Sequence, residues 1–336
     1  MDNKEYKRYE QCKDESERYA LDLPYVGICS FGKNPICSNL DELDADVAII
    51  GMPFEESQWR GGSKMGPRGI RDASTLYALG LGGSYDPERD EMYLGDNVKI
   101  VDCGDVEMIH GDVVKNLQNI EDAVKKIVAK GAIPVGIGGD HTVSIPFCYG
   151  LEDLGPFNVI QIDAHLDFAN NKSGQRWGQG SPMRRMSEMA HVDKMWNIGI
   201  RGIGSSKRTD FEDARNYGCH IISPKELRKM GIQNLINSLP EGEKYYISFD
   251  IDGMDASIAG GTGTPAAGGL YYDEVSELFE GIAKRGEVVG FDLLEVAPGL
   301  DPNQATCLLA SRLILDFIMY ITKEKERKGT LKAQQK

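Results

Sequence analysis

Val159-Ile160-Gln161-Ile162-Asp163-Ala164-His165-Leu166-Asp167 opens as an apolar strand and closes on three ionisable side chains. In extended chain alternate side chains point the same way, so Asp163, His165 and Asp167 share one face. Asp is unfavourable in strands. Three such groups gathered at the end of a buried strand desolvate and repel one another, and a bound cation removes that cost.

The chain around this stretch alternates in the same manner. Short runs rich in Val and Ile occupy residues 46–50, 98–101, 133–137, 159–162, 196–200, 220–222, 245–249 and 288–293, with helical patterns between most of them, for example 113–130, 224–238, 273–285 and 304–321. Continuous apolar strands separated by helices predict parallel strands buried on both faces. The expected fold is α/β: three layers, α/β/α, around a mostly parallel, roughly eight-stranded central sheet. No linker, repeat or composition shift divides the chain. Residues 1–45 read as an irregular polar N-terminal extension, 46–322 as one catalytic domain, and 323–336 as a charged C-terminal tail that frays.

Of the 336 residues, 41% are hydrophobic and 27% charged, which is ordinary for a globular protein. A chain of this length folds without disulfides or structural metal. The seven cysteines, Cys12, Cys29, Cys37, Cys103, Cys148, Cys219 and Cys307, match no zinc-ribbon spacing and read as reduced thiols, so a cytoplasmic location is expected. The polar N-terminus does not read as a signal peptide, and no apolar run approaches the roughly 20 residues of a membrane span. A formal net charge of -14 argues against nucleic-acid partners, whose binding needs Lys and Arg against phosphates. It suits metal ions and a cationic substrate.

In open α/β sheets ligands bind beyond the carboxyl ends of the strands. Two further strand ends there carry the same chemistry: Gly138-Gly139-Asp140-His141, and Asp250-Ile251-Asp252 after residues 245–249. His141, Asp163, His165, Asp167, Asp250 and Asp252 together offer two imidazoles and four carboxylates. That set suits Mn²⁺ or another divalent first-row ion and lacks the thiolates of structural zinc. Six ligands are too many for one ion that keeps an open position. They fit two ions roughly 3.5–4 Å apart.

These three blocks, with Gly51-Met52-Pro53-Phe54, Gly66-Pro67-Arg68-Gly69-Ile70-Arg71, Gly261-Thr262-Gly263-Thr264-Pro265 and the Glu295 segment, resemble the signature of the ureohydrolases, the arginase and agmatinase superfamily, over roughly residues 22–320. The resemblance is closest to the agmatinase-like branch. It implies an arginase-like sheet and two divalent ions per subunit, Mn²⁺ or Ni²⁺. One ion would be held by His141, Asp163, Asp167 and Asp250, the other by Asp163, His165, Asp250 and Asp252. Glu295 would bind the guanidinium of a small cationic guanidino substrate. Asp167 would relay a proton to the departing amine, giving urea and an amine. The family also implies a homotrimer or homohexamer.

Departures from the family pattern lie on the substrate side. Gln179 stands where agmatinases carry a His, and a glutamine hydrogen-bonds but does not titrate. Asp255-Ala256 and Ala259-Gly260-Gly261 lack two family prolines, which predicts a looser loop. Trp59 and Trp177 fall in loops expected to line the pocket, where an aromatic face can stack on a planar cation. Leu166 and these tryptophans would also accommodate a small hydrophobic cation. Two alternatives therefore stand beside the agmatinase-like reading: a nickel-dependent hydrolase of guanidine or of a biguanide such as metformin, which would release dimethylamine and guanylurea, and a weakly active subunit in a hetero-oligomer with an active paralogue. Gly199-Ile200-Arg201-Gly202-Ile203-Gly204 lacks dinucleotide spacing and reads as a tight turn beneath the site.

Overall fold

The computed structural model describes residues 23–56, 60–78 and 83–334. Residues 1–22 of the expected extension, and Trp59, lie outside the described residues. The strands are β1 (Val47–Met52), β2 (Ser84–Asp86), β3 (Glu91–Tyr93), β4 (Ile100–Asp105), β5 (Ile133–Gly138), β6 (Phe157–Ile162), β7 (Val192–Ile198), β8 (His220–Ile222), β9 (Lys244–Asp250) and β10 (Glu287–Leu294). The helices are α1 (Gly66–Ser74), α2 (Val113–Ala129), α3 (Ser144–Gly150), α4 (Pro182–Met186), α5 (Arg208–Tyr217), α6 (Pro224–Met230), α7 (Ile232–Ser238), α8 (Tyr272–Arg285) and α9 (Ala305–Arg327).

Eight strands form one sheet in the order β4-β1-β5-β10-β9-β6-β7-β8, with every neighbouring pair parallel. The apolar runs read from the sequence are these strands. Side chains alternate between two cores. Val47 and Ile49 join the core under α1 and α6 to α9, whereas Ala48 and Ile50 join the core under α2 to α5. Helices thus cover both faces, which is why strands with no polar face are stable here.

Five features depart from expectation. The helix predicted over 224–238 is two helices, α6 and α7, parted at Gly231, whose φ of 87° no helix interior accepts. The β2–β3 hairpin and α1 are not evident from apolar periodicity. Helix α1 is pinned instead by Arg71, whose Nε and Nη2 reach both oxygens of Asp102 on β4 at 2.8 and 3.0 Å. Asp102 also accepts from the Phe31 amide at 2.7 Å, which ties the N-terminal segment to the same sheet edge.

The tail does not fray at Lys323. Helix α9 runs on to Arg327 because Lys323 and Arg327 both pair with Glu91 of β3. Leu331 beyond it is fully buried, and the Lys332 amide donates to Asp46 at 2.8 Å. The last helix also corrects the expectation that no segment approaches membrane length. Its length and composition would allow a span, with 78% of its most apolar 18-residue window buried inside the molecule.

Candidate metal centre

The carboxyl ends of β5, β6, β9 and β10 meet at one point, and local chemistry turns each chain there. After β5, Gly139 passes so close to the preceding loop that a Cβ would lie 1.7 Å from the Phe54 carbonyl oxygen. Asp140 then caps a short turn, accepting from the Thr142 amide at 3.0 Å and, with its other oxygen, from the Glu56 amide at 2.9 Å. The turn lifts His141 over the sheet edge. After β6, Asp163 accepts from the His165 amide at 2.5 Å and from the Gln161 side-chain amide at 2.7 Å. Asp250, ending β9, accepts from the Asp252 amide at 2.9 Å. Asp252 in turn accepts from the Ala164 amide at 3.1 Å and the Thr264 hydroxyl at 2.8 Å.

The six candidate ligands converge. His141 Nδ1 lies 2.9 Å from Asp167, 3.2 Å from Asp163 and 3.5 Å from Asp250. His165 Nδ1 lies 3.1 Å from Asp252 and 3.4 Å from Asp163. Ligand atoms of His141, Asp163 and Asp250 fall within 4.8 Å of one another, and so do those of Asp163, His165 and Asp252. Asp163 thus belongs to both sets. Asp250, which the family pattern makes a second shared ligand, groups with the first set. Asp163, Asp252 and His141 are essentially without solvent contact, and only His165 is half-buried.

Among the described residues the ion pairs of these carboxylates are with the two histidines and with no Lys or Arg. Burial pushes Asp163 up to about 6, reinforced by the charges of Asp167 and Asp252. Burial disfavours a charged His165 ring, but its bonds to Asp163 and Asp252 prevail and hold it protonated up to about 12. His141 Nδ1 is buried in good hydrogen-bond geometry with none of its three neighbouring carboxylates. Burial disfavours a charged His141 ring, but the three carboxylates prevail and hold it protonated well above its ordinary value; a cation that displaced this proton would meet an imidazole nitrogen among carboxylate oxygens, the set a divalent first-row ion accepts, and the residues fit such a group.

A cation entering the site must displace protons. Titrating the metal-free protein with Mn²⁺ near neutral pH is expected to release protons, His165 giving up the one it holds up to about 12. Affinity should fall as pH is lowered through about 6, where Asp163 takes up a proton. Calorimetry in buffers of unlike ionisation enthalpy reads the release directly. A binding heat independent of buffer would contradict it.

Glu295 follows β10 at a φ of 67°, and Asp167 follows β6 at a φ of 50°. Such angles are uncommon for residues other than glycine and cluster at functional sites. Glu295 accepts from the His141 amide at 2.8 Å, and its own amide donates to the Gly139 carbonyl at 2.9 Å. Burial and the charges of Asp250 and Asp140 raise its pKa well above the usual range. Gln179 is half-buried in a loop that the Ala169 amide joins to the Asp167 segment through the Gly180 carbonyl at 3.1 Å. Trp177 is 41% exposed and lines a groove of about 590 Å³ with Glu56, Leu117, Ile145, Pro146 and Tyr149. Leu166 does not face a pocket: it is fully buried in the core under α2 to α5, so it offers no apolar contact to a substrate.

Arg201, not among the residues expected at the site, braces it from below. Its guanidinium donates to the carbonyls of Asp252, Met254 and Ala266 at 2.7, 3.0 and 2.7 Å, and to those of Ala267, Gly199 and Gly253 at 3.0, 3.1 and 3.3 Å. A charged residue inside a glycine-rich turn, one step beyond a buried strand, was the available signal. The loop lacking the family prolines is tied further by Asp255, which accepts from Ser257, Gly268 and Gly269. These bonds hold by side chains the loop expected to be loose.

A family model described as the arginase family matches residues 45–320. The chain belongs to the arginase family. This family member is 31% identical over 305 residues to the human mitochondrial guanidino acid hydrolase, covering 89% of this chain and 84% of that protein. It is 33% identical to the agmatinase of Bacillus subtilis, covering 87% and 97% of the two chains. Among solved structures it is similar to the proclavaminate amidino hydrolase of Streptomyces clavuligerus, with a TM-score of 0.78, 28% identity and coverage of 90% and 99%. Membership establishes this arginase-family protein as a hydrolase of amidino carbon–nitrogen bonds.

Proposed function

We propose that this protein is a dinuclear metal-dependent amidinohydrolase that releases urea and an amine from a small guanidino compound. The supporting observation is Asp163, one carboxylate with an oxygen toward each of two histidine-containing ligand sets. In this reading His141, Asp163, Asp167 and Asp250 hold one Mn²⁺ or Ni²⁺ ion, and Asp163, His165, Asp250 and Asp252 hold the other. When bound, such a pair lowers the pKa of water enough for hydrolysis near neutral pH.

The chain's own groups do the rest. Glu295, buried and already oriented by the His141 amide, receives the guanidinium through charge-assisted hydrogen bonds. This fixes the central carbon over the ligand cluster, and a cation beside Glu295 offsets the burial that raises its pKa. Asp167, at the rim of the site, carries a proton to the departing nitrogen. Gln179 and Trp177 contact the substrate from the loop after Asp167. The non-titrating Gln179 keeps hydrolysis of guanidine or metformin as the second reading.

A panel of agmatine, guanidinobutyrate, guanidine and metformin, each assayed with Mn²⁺ and with Ni²⁺, separates the readings. Urea from agmatine or guanidinobutyrate is the expected result. Dimethylamine from metformin would favour the second reading. Two bound ions with no turnover until a second subunit is added would favour the paired-subunit reading over the homotrimer or homohexamer the family pattern implies. A fully loaded, unaided chain that attacks none of the four would defeat the proposal.

A further inference from the structure

One level below the ligands, a row of polar side chains crosses the sheet. Asn197 on β7 is in register with Gln161 on β6, Gln161 with Ser248 on β9, and Ser248 with Asp292 on β10. All four have zero solvent exposure. Gln161 and Ser248 each precede a ligand by two residues, and a strand repeats its facing every two. They therefore lie on the same face of the sheet as Asp163 and Asp250, directly beneath them.

Polar groups buried between two helical layers are costly unless bonded, and here the bonds lead upward into the site. The Asn197 side chain donates to Gln161 Oε1 at 2.6 Å, which turns Gln161 Nε2 toward Asp163 at 2.7 Å. On the other side the chain runs from His141 Nε2 to Ser248 Oγ at 3.0 Å, from Ser248 Oγ to Ser144 Oγ at 3.0 Å, and from Ser144 Oγ to Asp292 Oδ2 at 2.9 Å. Tyr246 donates its hydroxyl to the same Asp292 oxygen.

The direction of this chain follows from its end. A carboxylate oxygen that receives the Tyr246 hydroxyl accepts from Ser144 as well, so the Ser144 proton points at Asp292. Ser144 then accepts from Ser248, whose single proton is used. Ser248 has only lone pairs left for His141, and Nε2 must carry a hydrogen. When the ring is neutral its bare nitrogen is consequently Nδ1, the atom that faces Asp163, Asp167 and Asp250.

We infer that Asp292 is a positioning residue for the metal centre: acting through Ser144 and Ser248, it sets the tautomer of His141 so that Nδ1 is presented to the cation. The inference rests on the dinuclear reading above. Neighbours that orient a histidine ligand are worth about 10–100-fold in metal affinity, and here the orientation comes from a carboxylate two hydroxyls away.

The test uses the full chain, stripped by a chelator and titrated with Mn²⁺. Ser144→Ala should weaken one of two binding events by about 10–100-fold while the melting temperature of the metal-free protein stays near wild type. Tyr246→Phe keeps the ring stacked on Phe147 at 5.4 Å, removes only the hydroxyl, and should shift the same event in the same direction. Ser276→Ala, which removes a buried hydroxyl bonded to Tyr320 elsewhere in the fold, should leave both events unchanged. Unaltered affinity in Ser144→Ala, or a loss matched by Ser276→Ala, overturns the inference. Wild-type protein that binds no Mn²⁺ would overturn the dinuclear reading itself, a distinguishable failure.

Discussion

Asp163→Ala is expected to abolish both metal binding and hydrolysis. Its two oxygens face different histidines, Oδ2 at 3.2 Å from His141 Nδ1 and Oδ1 at 3.4 Å from His165 Nδ1, so its loss opens both ligand sets at once. Turnover should fall by at least about 10³-fold, the scale on which loss of a preorganised electrostatic group acts, and metal content by elemental analysis should drop below one ion per chain. Retention of two ions would refute the assignment of Asp163.

The same residue fixes the sign of a pH effect in the metal-free protein. Its folded pKa, about 6, lies above the ordinary 3.8. The folded state therefore binds the proton more tightly than the unfolded state, and ionisation costs stability. As pH rises from about 4 to about 6, metal-free wild type should lose ground in melting temperature relative to metal-free Asp163→Ala. A difference that stays flat or moves the other way would show that Asp163 is not strained by its neighbours.

Arg201→Leu should produce the largest effect on stability. The wild-type guanidinium gathers carbonyls from three segments: the turn after β7, the Asp252 loop and residues 266–267. A leucine fills much of the volume and satisfies none of them. The Ala266 and Gly253 carbonyls keep the Ala256 and Leu270 amides, and Ala267 is exposed, which leaves the carbonyls of Asp252, Met254 and Gly199 unmet at about 1–3 kcal/mol each. Because relaxation lets water reach some of them, a total of about 3–5 kcal/mol is the reasonable scale, or a fall in melting temperature of roughly 5–15 °C. Affinity should drop more for the ion held by Asp252 than for the ion held by His141, since the carbonyl of Asp252 itself is among the bonds lost. An unchanged melting profile would mean that the loop stands without its brace. Arg201→Lys keeps the charge but cannot span the three segments, and should behave nearer to Leu than to wild type.

The strands and the candidate ligands are readable in the sequence for one reason. Buried parallel strands are uniformly apolar, so a carboxylate at the end of one is conspicuous. Asp163, Asp250 and His141 needed no more than this contrast. The same contrast worked against Gln161 and Ser248, which sit inside runs whose overall composition reads as core, and whose role depends on register with neighbouring strands that are distant in sequence. Asp292 is hidden in the same way: it is 148 residues from Ser144 in the chain and 2.9 Å from it in space. The loop around Asp255 reads as loose from its missing prolines, whereas the hydrogen bonds of Asp255 that tie it leave no mark on composition. Helix α1 leaves no signal in apolar periodicity because Arg71 pins it to another element, which periodicity does not measure. The break at Gly231 goes unread in the helical pattern over 224–238, because a glycine between two apolar stretches marks a stop or a tolerated interruption alike.

The strand order has a consequence for when the centre can come into being. His141 and Asp163 follow β5 and β6, consecutive strands of the sheet by chain order, yet β10 and β9 are inserted between those strands. A nascent or partly folded chain that holds only the first half of the sequence leaves a gap two strands wide where the cations should sit. The ions therefore have nothing complete to grip until the C-terminal strands have closed the sheet. Metal should then act on the lifetime of the finished molecule, slowing its opening, and leave the rate of the initial collapse almost untouched.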